Sequence, residues 1–133
     1  MKIKLTSVLV DDQEKALKFY TEVLGFVKKT ELPMGEYKWL TVAAKDDESG
    51  IELLLEPMAF PPAQVYQEAL KEANIPYTAF YVDDLEEEYE RLKSLGVEFI
   101  MEPSDAGAAK VAIINDTCGN NIQLVEVLWN QKS

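Results

Sequence analysis

The spacing of hydrophobic residues changes repeatedly along the chain, and each change marks the end of one short element. Residues 3–10, Ile-Lys-Leu-Thr-Ser-Val-Leu-Val, are rich in β-branched side chains and short for a helix, so they predict a strand. After it, Ala16, Leu17, Phe19, Tyr20, Val23 and Leu24 recur at helical spacing, with Asp12 as the N-cap and Gly25 as the left-handed stop. Three strand-like runs follow at 26–32, 36–44 and 50–56. The order then begins again. A strand at 77–82 leads to a helix capped by Asp84, which runs through Tyr89, Leu92 and Leu95 to Gly96. Further runs occupy 97–102, 108–114 and 120–127.

The second series is a copy of the first. Val10-Asp11-Asp12 returns 72 residues later as Val82-Asp83-Asp84, with Glu14 answered by Glu86. Leu24-Gly25 returns as Leu95-Gly96, and Ile51-Glu52-Leu53 as Ile122-Gln123-Leu124, both 71 residues later. The expected fold class is therefore α+β: two βαβββ modules in tandem, with mixed sheets curled around a cleft. We expect one domain over 1–133, made of copy one at 1–57, a linker with a short helix at 58–73, and copy two at 74–128. In the linker, Pro57, Pro61 and Pro62 argue against a regular element at its start, and Ala63 to Ala73 reads as the helix. Two acidic clusters have ordinary readings: Asp46-Asp47-Glu48 as a solvated turn, and Asp83 to Glu88 as carboxylates favouring a helix N-terminus.

Alternation along each strand separates the side under the helix from the side facing away. In 50–56 the set Ile51, Leu53, Leu55 is wholly apolar and belongs under the helix, which leaves Glu52, Leu54 and Glu56 on the other face. Leu5, Ser7 and Leu9 fall on that face too. In copy two, Ile122 and Leu124 are the covered set, Gln123 begins the other, and Tyr77, Ala79 and Tyr81 turn away from the helix. Glu52 and Gln123 are then the polar residues expected to project into one concavity, with Leu5 and Tyr77 as a matching pair. Ligand-binding residues expected from the first copy are Leu5, Ser7, Trp39, Glu52, Leu54 and Met58. Those from the second are Tyr77, Ala79, Tyr81 and Gln123.

Composition narrows the chemistry. The 133 residues carry 13 Lys and Arg against 24 Asp and Glu, a net charge of −11 that repels nucleic acid and anionic lipid, so neither is an expected partner. No apolar run approaches the ~20 residues that span a bilayer, and the start lacks a signal-peptide pattern, so the expected location is the cytoplasm. The absence of histidine excludes Ser-His-Asp and Cys-His hydrolysis and imidazole-built metal sites. Cys118, the only cysteine, has no internal partner and no histidine to activate it, and reads as inert.

Two segments carry a resemblance to a known family. Val10-Asp11-Asp12 followed by Ala16-Leu17-Lys18-Phe19-Tyr20-Thr21-Glu22-Val23-Leu24-Gly25-Phe26, and the closing Asp116-Thr117-Cys118-Gly119-Asn120-Asn121-Ile122-Gln123-Leu124, are similar to motifs of the vicinal oxygen chelate superfamily. Val82 to Leu85 and Leu92 to Val97 add to the match. That superfamily holds glyoxalase I, bleomycin-resistance proteins, fosfomycin-resistance enzymes and extradiol dioxygenases. The resemblance places its metal-ligand positions at Leu5, Glu52, Tyr77 and Gln123. Leu5 has no donor atom, a phenol is a rare ligand for these ions, and Gln123 is a weak neutral donor, so the expectation is no metal and no other cofactor.

Three classes of function remain open. The first is a metal-free protein that binds a small organic molecule, with Trp39, Tyr77, Tyr81 and Met58 for apolar contact and Glu52 and Gln123 for orientation. The alternative is a lyase, isomerase or dioxygenase-type enzyme that uses Glu52 as base or a non-standard metal site. The third is an interaction module, with Phe60 and the tail Leu128-Trp129-Asn130-Gln131 as anchors of a homodimer. Each aromatic reads equally well as filler for its own sheet or seam.

Overall fold

A computed structural model describes residues Met1 to Trp129. The elements follow in the order β1 (Leu5–Val10), α1 (Gln13–Lys18), a π-helical turn (Phe19–Val23), β2 (Val27–Met34), β3 (Tyr37–Ala43), β4 (Glu52–Pro57) and α2 (Pro61–Glu72). The second series is β5 (Thr78–Tyr81), α3 (Leu85–Ser94), β6 (Phe99–Asp105), β7 (Ala109–Asn115) and β8 (Asn121–Val127). The chain is α+β with two four-stranded sheets, ordered β1-β4-β3-β2 and β5-β8-β7-β6. In each, the first strand runs parallel to the last and the other pairs are antiparallel, which makes both sheets mixed. No helix among the described residues is long and apolar enough to cross a membrane. The chain divides into two compact units, one of Met1–Ala69 with Thr117–Gly119, the other of Leu70–Asp116 with the residues from Asn120 on.

Local signals explain the helix ends. Asp12 is extended, and its side chain accepts from Glu14 N at 3.0 Å and Lys15 N at 3.1 Å, two of the donors a helix start leaves without partners. Asp84 does the same for Glu87 N at 3.1 Å. Gly25 and Gly96, at φ 91 and 84, end the helices in the left-handed region. The helix predicted to run unbroken to Gly25 instead widens at Phe19, where Leu24 N donates to Phe19 O. A further difference concerns α2. It begins at Pro61 rather than Ala63, because a proline in the first turn surrenders only an N–H that has no intrahelical acceptor.

The helix-side faces are apolar as alternation requires. In the first unit Val8, Val10, Leu40, Val42 and Leu55 are wholly buried together with Ala16 and Tyr20. Tyr20 meets Phe19 edge-on at 5.9 Å and stacks with Phe26 at 6.3 Å. Ile51, expected under the helix with Leu53 and Leu55, is 44% exposed because it precedes the strand. In the second unit Leu85 and Leu92 of α3 are buried, as are Ala112, Ile114, Ile122 and Leu124 of the sheet. Asp46, Asp47 and Glu48 are exposed in turns, in keeping with the reading of a solvated cluster.

The outer strand of the first sheet carries a pH-sensitive pairing. Glu31 of β2 accepts from Lys28 Nζ at 2.8 Å and Lys38 Nζ at 2.7 Å, and these two ammonium groups lower its pKa from 4.5 to about 2. The folded value lies below the ordinary one. Its contribution is therefore complete above the ordinary carboxylate range and is lost as pH falls through about 2. Carbon-13 titration should show Glu31 ionising near 2, and Lys38→Met should move that midpoint up. A midpoint near 4.5 in the native protein would contradict the pairing.

Candidate functional site

In the first unit, strand register settles which residues share the face turned away from α1. Leu5 lies opposite Glu52, Ser7 opposite Leu54 and Leu9 opposite Glu56, while Thr41 lies opposite Leu54. Trp39 alternates with Thr41 and joins the same face. Leu9, Leu54 and Thr41 form a buried floor, and Ser7, Trp39 and Glu52 are half-buried above it. Leu5 is more open, at 42% exposed. Of the residues expected from the sequence, Leu5, Ser7, Trp39, Glu52 and Leu54 thus belong to one surface. The Thr41 hydroxyl donates to Glu52 Oε1 at 2.6 Å, which fixes the carboxylate and leaves its second oxygen available as an acceptor.

Next to this face the sheet forks. The paired residues of β3 and β4 are Thr41 with Leu54 and Val42 with Leu53, and towards the start of β3 a side chain takes over from the ladder. The Gln13 carboxamide accepts from Lys38 N at 3.1 Å and donates to Lys38 O at 2.8 Å and Leu55 O at 2.9 Å. A depression of about 280 Å³ opens there, and its apolar wall includes Tyr37, Pro57 and the expected ligand residue Met58. The charged side chains around it are Asp11, Asp12, Glu14, Glu36 and Lys38, of which Lys38 is paired with Glu14 and Glu31. Neither Gln13 nor Tyr37 was singled out by the sequence. The only available signal was a glutamine directly behind a helix cap, and that is a common surface position.

The second unit presents a simpler face. Ala79 lies opposite Gln123 and Tyr81 opposite Val125, which puts Gln123 on the side away from α3 with Ala79 and Tyr81. Gln123 and Tyr77 are half-buried, Ala79 is exposed and Tyr81 is 63% exposed. Tyr77 stands just before β5, its N–H donating to Asn121 O at 2.8 Å. The expected equivalence of Leu5 with Tyr77 meets a difference in register. Ser7 faces Leu54, and the repeat equivalents of those two are Ala79 and Val125, yet Ala79 faces Gln123. The slip is by two residues, so every side chain keeps its face.

These positions do not suit the metal ligation that the resemblance would place on them. In the first unit the pair Leu5 and Glu52 offers a hydrocarbon and a carboxylate already bonded to Thr41; in the second, Tyr77 and Gln123 offer a phenol and an amide. Among the described residues no group of three or more His, Cys, Asp or Glu is placed to hold a metal ion. Cys118 is wholly buried. Phe60 and Trp129 are 65% and 49% exposed, whereas Asn130 and Gln131 of the expected tail anchor lie outside the described residues.

Comparison with known proteins bears on the family and the fold. The family model described as Glyoxalase/Bleomycin resistance protein/Dioxygenase superfamily matches residues 2–124. YurT of Bacillus subtilis (strain 168), described as an uncharacterised protein, is 49% identical over 95% of this chain and 99% of its own length. Two crystal structures share 29% identity. That of UcmS2 has a TM-score of 0.81 and covers 95% of this chain and 98% of its own. TnmS3, an antibiotic binding protein from Streptomyces sp. CB03234, has a TM-score of 0.75 and covers 96% of each chain.

Proposed function

The chain belongs to the Glyoxalase/Bleomycin resistance protein/Dioxygenase superfamily, and from that premise we propose that it binds a small amphiphilic organic molecule without the help of a metal. The observation that carries this reading is the helix-free face of the first unit. Buried Leu9 and Leu54 form an apolar floor, half-buried Trp39 offers a stacking surface, and Glu52 presents one acceptor oxygen held in place by Thr41. An apolar surface with few, fixed polar groups is what a drug-sized ligand needs. The description of TnmS3 as antibiotic binding supports the same class of ligand. Gln123, with Tyr77, Ala79 and Tyr81, gives the second unit's face a comparable set of contacts, with a neutral amide in place of the carboxylate. A homodimer and a cytoplasmic location, both expected from the sequence, belong to this reading, and sedimentation of the purified protein tests the first of them.

Binding is tested most directly through Trp39. The chain has two tryptophans, so Trp129→Phe leaves Trp39 as the sole reporter. Amphiphilic aromatic compounds screened against that variant should quench its fluorescence and raise the melting temperature, since a ligand at a hundred times its Kd adds about 2.7 kcal/mol. Glu52→Gln should weaken the hits by ~1.5–3 kcal/mol, the worth of a hydrogen bond to a charged acceptor. Added Zn²⁺, Mn²⁺, Ni²⁺ or Fe²⁺ should leave both melting temperature and affinity where they were. Equal affinities for the native and Glu52→Gln proteins would remove Glu52 from the site, and one tightly bound ion per chain would overturn the metal-free reading.

A further inference from the structure

Glu56 stands apart from the other carboxylates of the first unit. It lies opposite Leu9, near the end of β4, on the face that also holds Glu52 and Leu54. Alternation from the Thr41–Leu54 pair sets Trp39 on that face as well. Glu56 is half-buried, and no side chain among the described residues hydrogen-bonds or ion-pairs with it. Its fellow Glu52 is in a different position, with one oxygen engaged by Thr41.

A carboxylate drawn partly out of water without a counter-charge costs free energy, and the fold gives no local reason for one here. The repeat makes this visible. The spacing that relates Glu52 to Gln123 relates Glu56 to Val127, so the second unit fills the equivalent strand position with a hydrocarbon. The one carboxylate near the end of β8, Glu126, turns the other way and accepts from Leu85 N at 2.8 Å. Nor do β1, β3 and β4 supply a cation to the face of Glu56. Lys38, the only Lys or Arg within those three strands, has the opposite parity and is paired with Glu14 and Glu31.

We propose that Glu56 sets the charge class of the ligand: this face accepts an aromatic cation, such as a molecule bearing a protonated amine, and rejects the corresponding anion. The proposal rests on the small-molecule reading above and adds to it a residue and a sign. The cation is held between an unpaired carboxylate and the indole of Trp39, where ion pairing and the attraction of a ring face for positive charge act together. Glu52, with one oxygen held by Thr41, plays a separate part as a hydrogen-bond acceptor for a ligand that carries a donor.

Three probes with one ring system separate these parts: protonated 9-aminoacridine, neutral acridine and acridine-9-carboxylate, titrated by calorimetry and by quenching of Trp39 in the Trp129→Phe background. The native face should bind the cation about tenfold or more tighter than the anion. Glu56→Gln should erase that preference and leave the affinity for neutral acridine unchanged, whereas Glu52→Gln should weaken only 9-aminoacridine, the one probe with N–H groups to donate, and leave the cation still favoured over the anion. Glu48→Gln makes the same change of charge in an exposed turn and should leave the preference intact, which sets aside the general field of a chain at −11. A preference that survives Glu56→Gln, or that Glu48→Gln abolishes equally, overturns the proposal. Equal binding of all three probes overturns it while leaving the small-molecule reading in place. Binding of none counts against both.

Discussion

Replacing Gly119 with alanine is expected to cost about 3 kcal/mol or more, a large share of the stability of a small domain. Two separate penalties meet at this position. Its φ of +102 is a conformation that an L side chain adopts only under strain, worth ~1–3 kcal/mol. A Cβ built there would also stand 2.7 Å from Gln67 Oε1, 2.8 Å from its Cδ and 2.9 Å from its Nε2. The far end of a glutamine normally moves aside at little cost. This one is 5% exposed, and its amide donates to Leu9 O at 3.0 Å and Cys118 O at 3.3 Å. Moving it breaks the buried bond to Leu9 O and the longer one to Cys118 O, a carbonyl that Asp11 N also reaches at 3.3 Å, and a lost hydrogen bond of this kind costs ~0.5–1.5 kcal/mol. Urea denaturation of Gly119→Ala, Gln67→Ala and the double variant resolves the two terms. The double variant should be less destabilised than the sum of the singles, because the clash is removed once, while the backbone strain persists. A Gly119→Ala protein within about 0.5 kcal/mol of the native one, the range of an ordinary surface change, would refute the packing described here.

The features legible in the sequence are those whose causes lie within a few residues. Asp12 and Asp84 cap helices through N–H groups two or three positions away, and Gly25 and Gly96 end them through their own backbone freedom. Strand faces follow from alternation alone, so Leu5, Ser7, Glu52 and Leu54 can be grouped from their spacing. Features that depend on partners far along the chain are hidden. Gln67 is a helix glutamine like Gln64 in sequence, yet one is buried against carbonyls of residues 9 and 118 and the other is exposed. The register slip in the second unit is equally invisible, since a shift of two residues preserves every pattern of alternation. Pro61 and Pro62 mislead because a proline reads as a breaker until its place in the first helical turn is known. Glu56 falls on the helix-free face by alternation, but nothing in the sequence sets it apart, because a carboxylate stands out only when its surroundings prove to be half-buried and without a cation.

Gln13→Glu is expected to destabilise the first unit more than Gln13→Ala, although the charged side chain nearly matches glutamine in shape. The native amide uses its oxygen for Lys38 N and its NH₂ group for Lys38 O and Leu55 O, so donors and acceptors are matched at all three contacts. Alanine leaves the three backbone groups without that partner. At about 1 kcal/mol per partly buried hydrogen bond, and with water able to enter from the open depression, the loss is about 2 kcal/mol. Glutamate keeps the bond to Lys38 N but turns an oxygen towards two carbonyl oxygens, and it adds a charge beside Asp11, Asp12 and Glu14. The repulsion and the unmet desolvation should bring its cost to about 3 kcal/mol or more. Lowering the pH towards the ordinary carboxylate range should narrow the gap between the two variants, because protonation of the introduced carboxylate restores one donor. The same substitutions also test the proposed ligand site, since Gln13 bridges the fork whose wall includes Tyr37 and the expected ligand residue Met58. Each should therefore lower affinity for the compounds that quench Trp39 even below the temperatures at which the variants unfold. Should Gln13→Glu prove as stable as the native protein at neutral pH, the bridge between β3 and β4 cannot be the amide, and the two strands would have to be joined there in some other way.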